Sequence, residues 1–336
     1  MKAAIFDEVG TPLRIGDMAD PAPGPDEVVL RVEACGICGS DLHMTHDPEP
    51  FGLLAPFVLG HEIAGEVVAL GAEVADLREG DRVAVAPMRG CGHCDACREG
   101  DPARCSAMTL IGGGYAERVL VAARQCRVLP DDVATADGAL AEPLAVALHA
   151  VLRSQMKPGA RVAILGAGPI GLLVAFWARR LGANRVAIAD LNTHQRERAL
   201  QLGATGFALS NERLTESLAE LCGGAPDIVF ECVGRRGLIE AAMRAVRLRG
   251  TVVGVGLCLG GDEWNPFVAL SKEANLVFSA FFHHGNEFGM AIEALRGGGP
   301  QALITDRIGL SAVPRVFEDL RRRTGTCKVL IQPAKA

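Results

Sequence analysis

The sequence predicts an α/β protein in two parts, a β-rich domain and a doubly wound parallel-sheet domain. Two textures and one turn support this. Short alternating or apolar runs, split by Gly, Pro and Asp turns, fill the first hundred-odd residues. From about Thr135 the chain instead alternates compact apolar runs with longer periodic stretches, the pattern of crossover units on a parallel sheet. Between one such run and the stretch after it lies Gly166-Ala167-Gly168-Pro169-Ile170-Gly171, a glycine-rich passage from strand to helix.

Taken in order, strands are expected over Ala3–Phe6, Glu27–Ala34, Ile63–Leu70 and Arg82–Ala86, followed by a Cys- and Gly-rich loop up to Val119. The Ala-rich periodic stretch Ala134–Ser154 reads as one helix. In it Asp137-Gly138-Ala139-Leu140-Ala141-Glu142-Pro143 sets a carboxylate beside a helix-starting Pro. Next come strand Arg161–Leu165, helix Pro169–Leu181, strand Arg185–Asp190 and helices His194–Leu202 and Leu214–Leu221. Strand Asp227–Cys232, helix Leu238–Val246 and strands Thr251–Leu257 and Leu276–Phe282 continue the alternation. Helix Phe288–Leu295 and strand Cys327–Ile331 close the chain.

At 336 residues there is room for two domains, each with its own core. A hydrophobic content of 49% with 22% charged residues describes a globular chain, not a disordered one. Forty acidic against thirty-four basic residues give a net charge of −6 and no broad basic face, which argues against nucleic acid as a partner. Met1 runs straight into Lys2-Ala3-Ala4-Ile5-Phe6 without an apolar leader, and the apolar run Leu172–Ala178 is too short for a bilayer. No membrane partner is expected, and the cytoplasm is the expected compartment. There, eleven cysteines read as metal ligands or buried thiols, not as a disulfide framework.

Three stretches carry chemistry. Cys35-Gly36-Ile37-Cys38-Gly39-Ser40-Asp41-Leu42-His43, followed by Gly60-His61-Glu62, offers a thiol, an imidazole and a carboxylate, the ligand set of a zinc site with a position left for substrate. The same residues would also serve as ordinary core and surface groups. If a metal binds, Asp41 would accept the free N–H of His61 and fix its tautomer, while Ser40 and His43 would relay a proton outward.

In the glycine-rich turn, Gly166 permits the bend, Gly168 lets the backbone approach a pyrophosphate, and Gly171 lets the helix lie close on the strand. Pro169 and Ile170 open that helix, whose N-terminus faces the phosphates. Asp190, nineteen positions after Gly171, would bond the ribose hydroxyls and repel a 2′-phosphate, favouring NAD, although Arg196 and Arg198 follow it. The alternative is a helix-capping Asp. The third stretch is Cys91, Cys94, Cys97 and Cys105, spaced C-x2-C-x2-C-x7-C. It reads as a closed structural zinc site, with an iron–sulfur cluster as the rival.

Together these stretches, with Ala141-Glu142-Pro143-Leu144 and Phe230-Glu231-Cys232-Val233-Gly234, resemble the zinc-dependent medium-chain dehydrogenase/reductase family over nearly the whole chain. Within it the sequence is most similar to the sorbitol and threonine dehydrogenase branch. The resemblance implies a GroES-like catalytic domain over residues 1–145, to which 285–336 return, and a Rossmann cofactor domain over 146–284. It implies two zinc ions per chain, one held by Cys38 and His61 with Glu62 and Glu142 as direct or water-mediated ligands, the other by the four cysteines. NAD would lie against Gly166–Gly171, Asp190 and Val233.

The implied activity is reversible hydride transfer between NAD and a secondary alcohol or its ketone, with the proton leaving through Ser40, the nicotinamide ribose and His43. Polyol enzymes of the branch carry an Arg-bearing motif near Phe281-Phe282-His283-His284. Two phenylalanines here point to an apolar or cyclic secondary alcohol, with a polyol, vicinal diol or threonine-type substrate as the alternative. Phe281 and Phe282 would line the substrate pocket. A zinc-free reductase on the same scaffold and a non-catalytic NADH-binding protein are the rival readings. Homodimers or homotetramers are implied, joined through Thr251–Leu257 and Leu276–Phe282.

Overall fold

The computed structural model describes residues 1–322 and 325–335. The chain divides into two compact units, Met1–Glu142 together with the chain from His283 onward, and Pro143–Phe282.

The first unit is organised on one long strand, Glu27–Gly36, rich in β-branched residues and alternating buried and exposed around Arg31 and Glu33. It pairs antiparallel with Glu62–Leu70, with Arg118–Ala122 and, at its end, with Lys328–Ile331. The sheet runs Cys126–Val128, Arg82–Val85, Glu62–Leu70, Glu27–Gly36, Lys328–Ile331, Ile304–Ile308. Its register sets Gly36 opposite Glu62. Leu30, Val32, Ile63, Val83, Tyr115, Phe317 and Ile331 share one core, and a fully buried Leu, Ile or Phe stabilises by roughly 1.5–3 kcal/mol.

A helix, Gly39–His46, leaves the end of the long strand directly after Cys38. Its Gly-Ser-Asp-Leu-His-Met-Thr-His run has no apolar stripe, so hydrophobic periodicity does not reveal it. The stretch expected as one helix from Ala134 starts instead as a 3-10 segment, Thr135–Leu140, and the α-helix is Ala141–Arg153. The tighter turn seats Ala136 and Ala139 against Ala34 and Ala64 of the sheet.

The second unit is a six-stranded parallel sheet ordered Gly206–Leu209, Arg185–Asp190, Arg161–Leu165, Ile228–Glu231, Thr251–Gly254, Asn275–Phe278. Strand order reverses between Arg161–Leu165 and Ile228–Glu231, the crevice where such sheets bind ligands. Both strands are apolar and almost wholly buried, as strands covered on two faces must be. The strand expected over Thr251–Leu257 stops at Gly254 and is paired on both sides, so it offers no edge. The strand expected over Leu276–Phe282 ends at Phe278, and the Phe281–His284 quartet lies beyond it. Among the described residues no helix is long and apolar enough to cross a membrane.

Candidate active site

Among the described residues, two groups of His, Cys, Asp and Glu bring their donor atoms within 4.8 Å of one another: Cys38, His61 and Glu62, and Cys91, Cys94, Cys97 and Cys105. In the first group the thiol sits at the mouth of the Gly39–His46 helix, and the imidazole and carboxylate open the neighbouring strand. Asp41, fully buried, lies behind His61 with its Oδ1 3.3 Å from Nδ1. Its Oδ2 accepts the Cys38 backbone N–H at 2.9 Å and the Tyr115 hydroxyl at 2.5 Å. Burial alone would raise Asp41, but His61 and these hydrogen bonds outweigh it and hold the carboxyl below its ordinary value. Burial likewise opposes a charge on His61, and Asp41 and Cys38 reverse the balance, lifting it well above the ordinary value. With Nδ1 committed to Asp41, Nε2 is left for a ligand, as in metal-bound histidines. A borderline cation with S, N and O donors fits this set, and zinc is such a cation.

Two further charged groups adjoin it. Lys328, buried at 1% exposure, reaches back from the last strand, its Nζ 2.6 and 2.7 Å from the two Glu62 oxygens and 2.9 Å from the Ile37 carbonyl. Burial would lower its pKa, but Glu62 overrides this and raises it. The carboxylate occupies space that only a glycine leaves open, since a Cβ on Gly36 would lie 1.8 Å from Oε2. Glu142, in the first turn of the Ala141–Arg153 helix, is not among the mutually close donors. Its carboxyl is nonetheless pushed up to about 7, by burial first, then by Glu62 and Asp41, with His61 and Lys328 opposing. Sequence reasoning missed both Lys328 and Tyr115. The only available signals were a lysine within an apolar strand and the lone tyrosine of the chain.

Ser40 Oγ lies 3.4 Å from His61 Nε2, the ring nitrogen on the ligand side. His43, one turn further along the same helix, is exposed to solvent. Phe281 and Phe282 belong to the second unit. Phe281 is half-buried with a left-handed backbone, φ 58°, and Phe282 is almost wholly buried.

The glycine-rich turn links strand Arg161–Leu165 to helix Pro169–Arg180. A Cβ on Gly171 would meet the Gly166 carbonyl at 1.9 Å, so the helix can start this close to the strand only with glycine there. Nothing lies within 4 Å of where a Gly168 Cβ would stand, leaving an open cradle at a helix N-terminus for a phosphate group. Asp190 braces the turn, accepting the Ala167 N–H at 2.9 Å and the Leu191 N–H at 2.7 Å. Val233 lies against Gly166, and Glu231 holds the following loop through the Val233 and Gly234 N–H groups at 2.7 and 3.0 Å.

The four cysteines occupy a loop with one four-residue helix, Asp95–Arg98, and a 3-10 turn, Pro102–Arg104. Sγ atoms of Cys91 and Cys97 stand 4.0 Å apart, and the Cys94 backbone N–H points to the Cys91 sulfur at 3.4 Å. Backbone donors at His93 and Cys94 push the Cys91 thiol down to about 6, while burial pushes Cys97 up to about 11. Four thiols with no gap for substrate suit a tetrahedral structural ion.

Comparison with known proteins agrees with this architecture. Residues 24–131 match the alcohol dehydrogenase GroES-like domain, and residues 169–296 the zinc-binding dehydrogenase domain. The sorbitol dehydrogenase of Bacillus subtilis (strain 168) is 32% identical over 99% of this chain and 97% of its own. A crystal structure of 2R,3R-butanediol dehydrogenase from Bacillus subtilis superposes with a TM-score of 0.89 at 30% identity, covering 99% of each chain. A presumed zinc-binding dehydrogenase from Sinorhizobium meliloti 1021, solved bound to NADP, gives 0.89 at 34% identity, again over 99% of each. The chain therefore belongs to the zinc-dependent medium-chain dehydrogenases, in their sorbitol-dehydrogenase-like branch, enzymes that act on CH–OH groups with zinc and a nicotinamide cofactor.

Proposed function

We propose that the chain is an NAD-dependent secondary-alcohol dehydrogenase with one catalytic and one structural zinc ion, acting on a relatively apolar or cyclic alcohol. The observation that carries it is the convergence of Cys38, His61 and Glu62, with Asp41 fixing His61 from behind. Cys38 and His61 would hold the catalytic ion, Glu62 and Glu142 would complete or exchange at its shell, and the four cysteines would hold the structural one. When bound, zinc supplies Lewis acidity that lowers the pKa of the substrate hydroxyl, and the nicotinamide supplies the hydride acceptor. Ser40 would take the hydroxyl proton and pass it toward His43, whose exposure lets it exchange with water. Gly166–Gly171 and Val233 would seat the cofactor, and the Asp190 carboxylate favours NAD by repelling a 2′-phosphate. The NADP-bound relative supports the opposite preference.

Phe281, half-buried where polyol enzymes carry an Arg-bearing motif, supports the apolar substrate, whereas Phe282, at 1% exposure, offers it no surface and is withdrawn from the pocket. A second reading, a polyol or vicinal diol, is favoured by the relatives named sorbitol and butanediol dehydrogenase. A homo-oligomer is proposed through the free edge of Asn275–Phe278, where Phe278 is 66% exposed and Phe267 and Leu270 nearby are 66% and 72% exposed. Four thiols gathered without disulfide bonding suit a reducing compartment, and we place the protein in the cytoplasm.

The test is NADH or NADPH formation over polyols, vicinal diols, threonine and apolar or cyclic secondary alcohols, before and after chelation, with Cys38→Ser and His61→Ala alongside. Chelator-sensitive turnover on an apolar alcohol, lost in both variants, is the expected result. Turnover confined to polyols or diols would replace the substrate class and keep the site. Turnover persisting in metal-stripped protein would overturn the zinc assignment.

A further inference from the structure

The sole tyrosine of the chain is tied to the site through one hydrogen bond, to Asp41, and one close polar contact, from Asp41 to His61. Tyr115 is fully buried, and its hydroxyl donates to Asp41 Oδ2 at 2.5 Å, the short range of an O–H···carboxylate bond. The other Asp41 oxygen faces His61 Nδ1 at 3.3 Å. The backbone carries the same link. Tyr115 N–H donates to the Leu59 carbonyl at 3.0 Å and Gly114 N–H to the Gly60 carbonyl at 3.0 Å, so this strap runs along the turn that delivers His61. The ring fills the space beside Gly60, where a Cβ would fall 2.5 Å from it, and sets its edge against Phe317 at a centroid distance of 6.4 Å.

A buried tyrosine needs some partner for its hydroxyl, and most find one with no consequence for function. Here the partner is a carboxylate with two oxygens and two directions to serve. The Tyr115 and Cys38 donors occupy Oδ2, which leaves Oδ1 to His61. Without the phenol O–H, Oδ2 keeps a single donor in a site closed to water, and the carboxylate gains by turning toward whatever donor remains.

We propose that Tyr115 is a positioning residue for the catalytic ion: its hydroxyl orients Asp41, which in turn fixes the ring and tautomer of His61 and so sets how tightly His61 binds zinc. The inference rests on the reading of Cys38 and His61 as zinc ligands. Groups one step behind a ligand typically change metal affinity 10- to 100-fold when removed, so Tyr115→Phe, one step further back, is expected to weaken zinc binding about tenfold.

The experiment measures zinc affinity by chelator competition, and the visible spectrum after cobalt substitution, for the holoprotein, Tyr115→Phe, Asp41→Asn and the double variant. The four-cysteine ion serves as an internal reference. If Tyr115 acts through Asp41, the single change weakens the Cys38–His61 ion and shifts its cobalt bands, while adding nothing on top of Asp41→Asn. Unchanged affinity and spectrum in folded Tyr115→Phe would overturn the proposal, as would losses that simply add in the double variant. Should the variants fail to fold, 3-fluorotyrosine incorporation labels this one position. Its single ¹⁹F resonance is expected to move as zinc is titrated into the Cys38–His61 site, and a resonance indifferent to that titration overturns the proposal. A parent protein whose zinc content is the same with and without Cys38→Ser removes the zinc reading itself, and this inference falls with it.

Discussion

The two cysteine-bearing sites are built on opposite principles. Cys38, His61 and Glu62 sit where two long strands of a packed sheet end and begin, and their supports are in place around them: Asp41 behind His61, Lys328 against Glu62, Tyr115 against Asp41. Cys91, Cys94, Cys97 and Cys105 hang on a loop whose longest element is four residues and whose side chains are mostly half-buried or exposed. The first site is organised by the fold itself, and the proposed ion would enter a finished setting. The second has almost no apolar core, so the proposed ion would have to do the organising. Loss of metal should cost chemistry in one case and structure in the other.

The sharpest way to break that contrast is at the lobe. Cys97→Ser should remove one zinc per chain and with it an apparent binding free energy on the order of 10 kcal/mol, enough to open the loop. Hydrogen exchange would then show lost protection at the Arg98 and Gly100 amides, which bond within the lobe, while the Glu27–Gly36 strand stays protected. Equal protection in variant and parent would show that the lobe holds itself.

Lys328→Met tests the other half. Removing one partner of a buried pair leaves the Glu62 carboxylate uncompensated and should cost about 3–5 kcal/mol in the metal-free protein, read by denaturant unfolding. A bound cation beside the same carboxylate should shrink that loss. A penalty independent of zinc would mean that the ion and the lysine do not share Glu62.

The smallest effect concerns Glu142. Its folded pKa of about 7 stands above the ordinary 4.5, so the folded state holds the proton more tightly. Its contribution is full below about pH 4.5 and is lost as pH rises through about 7, at most about 3 kcal/mol in metal-free protein. Glu142→Gln should flatten this part of the stability profile. A parent profile that rises across the same window relative to the variant would reverse the assignment.

The fold was legible to different depths in its two units. Parallel crossover units announce themselves through buried apolar runs such as Arg161–Leu165, which periodicity marks to the residue. The Gly39–His46 helix is set by its start at Cys38 and by Asp41 bonding back to the Cys38 N–H, and no hydrophobic pattern records that. Phe281 and Phe282 read as strand residues because they are apolar, yet the backbone turns left-handed at Phe281 and the strand has already ended. At the site, Cys38, Asp41, His61 and the four cysteines are legible because spacing and side-chain chemistry speak locally. Tyr115 and Lys328 are not, because each is brought to its partner by topology, 74 residues from Asp41 and 266 from Glu62.

That last separation has a consequence for biosynthesis. Glu62 is made early, and the ammonium group that neutralises it arrives only when the final strand Lys328–Ile331 slots in beside Glu27–Gly36. Until then the growing chain carries a carboxylate that it cannot bury without penalty, and the half-built sheet has an unfilled edge. A ribosome-bound chain stopped short of Lys328 would hold every proposed zinc ligand and still lack a settled place to put Glu62. The strand Lys328–Ile331 thus completes the setting of Glu62, whose charge is matched only once that strand has paired.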